Sequence, residues 1–387
     1  MKKRLISLIC VAVLIFSSLL YTSCGSPTDT PTGPQGEQIT LTFQYDDNTT
    51  AIININKGKF LLQSDLPTVQ NSSLSYEYTW DIDLSNPITE SKTIKTLRYT
   101  KGVKFSVSGK KAKVTGMTLA DGQPKPTTLF LPTYYQGAVV TVIDQKAFRA
   151  YEDYQPSTEL RHVILPKYLE TIGYEAFEFC RKLEAPDFPK TLTFVGSNAF
   201  NACSFDKLEL PETLTNLAKR AFGGGNHTFS FVKVPGGVTV MESFAIVSKV
   251  LRVLVIPKSV TKIEDGGIWP IEPNYLKDEG GKLVYENGHL VPIGYEEFKI
   301  FYEGNIFDWE DLYANISDVD VANVVGDGNN DDFDALIELH SSKDQVDMAT
   351  LYIYSETEPR YDVSHKDNKY WCYDENGDIY VWDDPVA

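Results

Sequence analysis

Cysteine and histidine are scarce in this 387-residue chain, five of each, and neither gathers into a metal-binding pattern. His162, His227, His289, His340 and His365 are scattered, without zinc spacing or an H-E-x-x-H run. A nucleophile elbow and a phosphate-cradling loop are missing too. Basic charge is short: 36 Lys and Arg face 53 Asp and Glu, for a net −17. A phosphate-binding footprint requires the opposite balance, so no nucleic-acid partner is expected. The long apolar run Leu5–Leu20 is too short for a comfortable membrane span. Ser108-Gly-Lys-Lys111 has the S-x-x-K spacing of some acylating hydrolases, but that chemistry needs a helix start, and VSGKKAKV reads as strand, turn, strand. With no cofactor pattern either, a non-enzymatic protein is expected.

What is abundant is repetition. Prolines fall at Pro132, Pro166, Pro189, Pro211, Pro235 and Pro257, at intervals of 23, 22, 24 and 22 residues from Pro166 onward. Phe177, Phe200, Phe222 and Phe244 keep the same period. One unit reads LRHVILPKYLETIGYEAFEFC, from Leu160 to Cys180. Its L-x-x-V-x-L-P run alternates as a strand with one buried face, and the proline ends the strand where no ladder donor is needed. The Ala-Phe segment is predicted as a helical turn whose ring fills the space between neighbouring coils. A unit of about 22 residues cannot bury its apolar face alone, so stacked coils supply the core and the ends need caps.

The phrase LPKYLETIGYEAFEFCRKL at 165–183 and TYYQGAVVTVIDQKAF at 133–148 resemble the BspA-type leucine-rich repeat family of bacterial surface proteins. The resemblance implies a leucine-rich repeat solenoid, short parallel strands with helical turns, over 103–270. Departures accumulate toward its end: Phe222 precedes a glycine run, Phe244 precedes its alanine, and Gly266-Gly267 replaces Ala-Phe. Cys180 and Cys203 occupy the same place in successive units and are predicted to stack one coil apart as buried thiols, a bridge being the alternative; Cys372 is left over.

Lys2, Lys3 and Arg4, the apolar run and Tyr21-Thr22-Ser23-Cys24 read as a signal peptide over 1–23. The cysteine there resembles a bacterial lipobox, although Tyr21 replaces its usual leucine. That resemblance implies acylation of Cys24 and anchoring at the outer membrane or cell surface; the alternative is an ordinary secretory signal cleaved nearby. Residues 24–38 are polar and rich in Pro and Gly, a flexible tether. Residues 39–102 alternate apolar and polar positions and are predicted as a small antiparallel β module, faintly similar to β-grasp-like repeats that accompany surface leucine-rich repeats. Beyond the repeats, 271–387 is an acidic region with 24 Asp or Glu against 5 Lys or Arg from Tyr295 onward. Hairpin signals stand at Asn287-Gly288 and Asn376-Gly377, and IFYEGNIFDWEDL at 300–312 resembles the atypical last unit of the BspA-type family, which implies a C-terminal cap containing a β-hairpin. Asp327, Asn329, Asp331 and Glu338 take EF-hand-like positions 1, 3, 5 and 12, a possible calcium loop, but Asp332 stands where the turn glycine belongs.

With Leu160, Val163 and Leu165 inward, the intervening residues form two outward columns. One is Ile164, Asp187, Glu209, Lys233 and Val255; the other is His162, Ala185, Lys207, Phe231 and Val253. Their mixture of charge and apolar surface suits a protein partner, and the loop with Tyr151 and Tyr154 adds a second contact. The family resemblance implies adhesion to host or neighbouring-cell proteins. The rival is a carbohydrate-capturing lipoprotein of a nutrient-uptake system, with Tyr76, Tyr78 and Trp80 as a sugar platform; a hydrolase in the acidic region is a third possibility.

Overall fold

The computed structural model describes residues 36–69, 73–150, 156–248, 250–264, 266–267, 285–286, 289–290, 298–316, 350–356 and 369–382. The signal segment, Cys24, most of the tether, Tyr151, Tyr154 and the Asp327–Glu338 loop lie outside them. Among the described residues, no helix is long and apolar enough to cross a membrane.

The N-terminal module is a four-stranded sheet ordered Thr50–Asn56, Gln38–Gln44, Lys92–Thr100, Tyr76–Trp80. The outer pairs are antiparallel, but the central pair, Gln38–Gln44 with Lys92–Thr100, is parallel. This corrects the all-antiparallel expectation: the chain between Asn56 and Lys92 is long enough to cross over, and such a connection permits a parallel pair. The first hairpin closes at Asp47-Asn48, where Asn48 takes a positive φ of 66°. Alternate residues Ile39, Leu41 and Phe43 pack with Trp80, Ile82, Ile88 and Ile94 into the module's own core.

The repeats build a parallel ladder of coils. Thr128–Phe130 pairs in parallel with His162–Ile164, and Phe231–Lys233 with Val253–Ile256, then Lys299–Tyr302, Thr350–Tyr354 and Lys369–Tyr373. Leu183–Pro186 and Leu208–Leu210, predicted as strands, keep the alternation of burial without strand pairing. Pro186, which has no N–H to donate, accounts for the first break. A second seam runs through Ile143, Ile172 and Val195, paired in register. At the next coil the Asn216 side chain substitutes for a strand: its amide accepts from Val195 N (3.1 Å) and donates to Val195 O (2.8 Å). Backbone pairing resumes through Leu217, Met241, Ile263 and Ile316.

The Ala-Phe segments are not helical. Each is a hydrogen-bonded turn whose residue before the alanine adopts a left-handed φ: Lys146 (58°), Glu175 (53°), Asn198 (58°), Arg220 (53°) and Phe244 (56°), with Gly266 (61°) at the next step. A left-handed residue stops helix propagation, which is why the predicted helical turn does not form. The geometry instead aims backbone groups along the stack. The amides of Phe148, Phe177, Phe200 and Phe222 donate to the carbonyls of Ala176, Ala199, Ala221 and Ala245, at 2.8 to 3.0 Å. The four rings stack with centroid spacings of 5.2, 5.3 and 5.6 Å. The fifth place belongs to Ile246, which pairs with Phe222, while Phe244 is only half-buried. Sequence period alone assigns Phe244 to the stack; the alanine register overrules it.

Coils approach closely at Gly173 and Gly196, where an added Cβ would lie 2.6 Å from Gln145 N and 2.7 Å from Tyr174 N. Hydroxyls fasten one coil to another: Thr191, Thr213 and Ser259 donate to the carbonyls of Leu169, Leu192 and Val238 at 2.7 to 2.8 Å. The buried thiols of Cys180 and Cys203 remain unbridged and donate to Phe148 O (3.2 Å) and Phe177 O (3.4 Å).

Before the ladder, Val103–Ser108 and Lys111–Met117 form an antiparallel hairpin joined in parallel to Ala138–Ile143. Ser108 and Lys111 face each other across its turn, so the S-x-x-K spacing belongs to a hairpin, as its sequence predicts. Between the ladder strands Lys299–Tyr302 and Thr350–Tyr354 comes a helix, Ile306–Ala314, capped by Asn305, whose side chain accepts from Phe307 N and Asp308 N. Antiparallel Ile379–Val381 ends the sheet through a turn with Gly377 at φ +82°.

Candidate interaction surface

Strand alternation decides which residues of each coil reach solvent. Val163, Leu208, Val232 and Leu254 turn inward and are buried, leaving their neighbours on the opposite face. On that face Ile164 is 52% exposed and Phe231 46% exposed, among the most exposed large apolar side chains of the repeats. His162, Asp187, Lys207 and Glu209 are exposed between them, and Ala185 is half-buried. Polar contacts cross this surface: His162 Nδ1 lies 3.6 Å from Glu184, and ion pairs join Lys207 to Glu209 at 3.6 Å and Lys182 to Glu159 at 2.8 Å. All are solvated and contribute little to stability.

The columns do not stay open to their ends. Val255 is 0% exposed, packed with Phe301, Tyr352 and Trp371 in a separate apolar cluster that Val253 partly joins. Val255 is therefore a packing residue and not a contact residue. Phe301, Tyr352 and Trp371 come from strands that extend the same sheet 46 or more residues later in sequence, so local spacing gives no sign of them. Lys233 marks the border. Its ammonium lies 4.7 Å from the Tyr373 ring centroid, 3.6 Å from Glu303 and 3.7 Å from Glu212. The Tyr373 hydroxyl donates to Glu303, and burial together with that bond pushes the phenol well above its usual range.

At the other border Arg98 of the N-terminal module lies 4.1 Å from the Phe130 ring centroid, and Tyr76 meets that ring edge-on at 5.5 Å. The three-ring sugar platform is thereby dismantled. Trp80 is 2% exposed, packs edge-on against Phe43 and donates its indole N–H to Pro67 O at 2.8 Å. Tyr76 is engaged with Phe130, and Tyr78 donates its hydroxyl to Asp46 at 3.1 Å.

A charged cluster that the sequence pattern does not single out lies on the Ala-Phe turns. Arg149 Nε sits 3.2 Å from Glu175 and 2.7 Å from Glu178, both nearly buried, and Asn201 donates to Glu178 at 3.2 Å. Burial holds the Glu178 carboxyl above its ordinary range, against the pull of Asn201 and Arg149. The signal was present in E-A-F-E, two acids around the ring residue, but the buried direction of these side chains comes from the left-handed turn. Among the described residues, no group of His, Cys, Asp or Glu is placed to hold a metal.

A parallel ladder of short strands stepping by 22–24 residues, with one buried ring per coil, defines a leucine-rich repeat protein. Residues 141–267 match the model of the BspA type leucine rich repeat region in six copies. Repeats of this family are protein-binding scaffolds rather than enzymes. Among solved structures, a Treponema pallidum leucine rich repeat protein is 22% identical, with 43% of this chain and 74% of that chain covered and a TM-score of 0.36. A Bacteroides ovatus leucine-rich repeat protein is 15% identical, covering 52% of this chain and 70% of its own, with a TM-score of 0.28. A leucine rich cell surface protein from Faecalibacterium prausnitzii is also 15% identical, with 42% and 71% covered and a TM-score of 0.17. No curated protein matches the chain.

Proposed function

We propose that this chain is an exported, lipid-anchored adhesin that binds a protein of a host or neighbouring cell through the outward face of its repeats. The observation that carries the reading is that Ile164 and Phe231 are both about half exposed on a face shared with the charged side chains of Asp187, Lys207 and Glu209. Rigid apolar side chains framed by polar neighbours are what the centre of a protein interface uses. The burial of Val255 and the engagement of Lys233 limit the footprint to the coils from His162 to Phe231. The strands from Lys299 onward and the terminal hairpin act as the cap of the solenoid, covering its last coil. Acylation of Cys24 supplies the anchor, since several acyl chains hold a protein at a membrane where one would be marginal.

The test is binding of the full chain to arrayed extracellular-matrix and cell-surface proteins. Saturable binding that falls at least about tenfold in Ile164→Asp and Phe231→Ala, with unchanged melting temperatures, is expected. Binding indifferent to both substitutions would place the interface elsewhere. Labelling with a palmitate analogue, lost in Cys24→Ser, tests the anchor.

A further inference from the structure

The N-terminal module and the first coil enclose a cleft of about 470 Å³, a size ordinary for small-ligand sites. One wall is the Leu66–Val69 segment and the strand of Tyr78 and Trp80; the other is Tyr135 and Gln136. Among its lining residues there is no Lys, Arg, Asp or Glu, whereas Gln63, Ser64, Thr68 and Gln136 bring amides and hydroxyls to aromatic surface. Such a lining offers an ion no counter-charge for its lost hydration. It suits an uncharged molecule with flat C–H faces and many hydroxyls.

The walls are fixed before any ligand arrives. The Trp80 indole ties the loop to the strand through Pro67 O at 2.8 Å, and the Tyr99 hydroxyl donates to Glu77 at 2.6 Å. Tyr135 stacks on Phe105 with a centroid spacing of 3.9 Å and meets Tyr99 edge-on. Gln136 and Gly137 both take left-handed φ values, 50° and 74°, as a two-residue hairpin turn demands, and a Cβ on Gly137 would lie 2.2 Å from Leu84. This turn places Gln136 in the lining of the cleft. Preorganised walls spare a ligand the entropy of ordering them. Tyr78, Thr68 and Val69 also line a second cleft of about 470 Å³, where Asp46 and Asp47 stand. A chain-like ligand that continues past Tyr78 meets carboxylates there, which accept from hydroxyls and repel anions.

We propose that this seam between the N-terminal module and the first coil binds a neutral oligosaccharide. The site shares no residue with the outward columns, so it stands or falls separately from the protein-binding reading. It also differs from the platform of Tyr76, Tyr78 and Trp80 in drawing its second wall from Tyr135 and Gln136, more than fifty positions away.

The experiment is calorimetric titration of the full chain with cello-, xylo- and mannohexaose, with oligogalacturonate as the charged control and intrinsic tryptophan fluorescence as a second readout. Saturable binding of a neutral hexaose is expected, weakened at least about tenfold by Tyr78→Ala and by Gln136→Gly, and unchanged by Phe231→Ala. Gln136→Gly eases the left-handed backbone while deleting the amide, and an unchanged melting temperature separates loss of the amide from loss of fold. Oligogalacturonate should not bind. Silence from all three neutral hexaoses at millimolar concentration overturns the proposal, as does binding that survives both cleft substitutions or disappears in Phe231→Ala.

Discussion

The Phe222 backbone amide donates to the Ala245 carbonyl at 3.0 Å, which places Ile246 at the next step of the ring column and leaves Phe244 outside it. Phe244 instead carries the left-handed turn, with the Arg220 guanidinium 5.4 Å from its ring centroid. Two phenylalanines 22 residues apart thus do different work.

That difference is measurable. Phe200→Ala removes a ring stacked on both sides and should cost about 3–5 kcal/mol, as large core truncations do. Phe244→Ala should cost less than half as much. Equal losses in chemical denaturation would refute this register of the ring column.

Close approach between coils makes Gly173 intolerant of a side chain. Gly173→Ala drives a Cβ to 2.6 Å from backbone atoms that cannot swing away, and a loss of about 1–3 kcal/mol is expected. Gly236→Ala, with nothing within 4 Å of the new atom, should change the melting temperature little.

His227 gives the fold an acid sensitivity. Its ring lies between Phe205 and Phe229, and Nδ1 accepts from Phe205 N at 3.1 Å. The proton therefore sits on Nε2, which is directed toward the Phe200 and Gly223 carbonyls without a well-aligned bond. Burial lowers the imidazole from 6.5 to about 4. Between those values the unfolded chain takes up a proton that the folded chain refuses. Stability is thus fully present above about pH 6.5 and declines as pH falls toward 4, by about 3 kcal/mol across the window. Denaturant titrations at several pH values should show this slope in the parent and a flatter one in His227→Gln. An identical slope in both would assign the effect to other groups.

Arg149 compensates two nearly buried carboxylates, Glu175 and Glu178. Arg149→Met should destabilise by about 3–5 kcal/mol at neutral pH, because the acids are left without their counter-charge. Glu178 already has a raised pKa, so its ionised form burdens the folded state and protonation relieves it. The deficit of the variant should therefore shrink as pH is lowered. A deficit that is constant with pH would show that Arg149 acts by packing alone.

Much of the fold was legible from local pattern. The prolines, the Ala-Phe pairs and the alternation around Val163 reported one coil each, because a strand's side-chain period of two and a repeat's near-neighbour contacts are both local properties. Asn376-Gly377 marked a turn for the same reason. The Ala-Phe turn itself was not legible as a left-handed turn, since Lys146, Glu175 and Arg220 carry no residue-type signal for that backbone; the hydrogen bonds to the adjacent coil hold them there.

The surface was less legible than the core. Ile164 and Phe231 were placed outward correctly by alternation, but the same rule sent Val255 to solvent. Alternation identifies the two faces of a strand and says nothing about whether a later segment covers one of them. The sequence by itself determined that the chain repeats and that each coil buries one strand face, with a ring in the Ala-Phe units. Tertiary structure decided which columns stay open, that Trp80 is packed inside its module, and that Tyr78 and Gln136 face one cleft. Those outcomes depend on contacts between segments tens to more than a hundred residues apart, and no local period encodes such pairings.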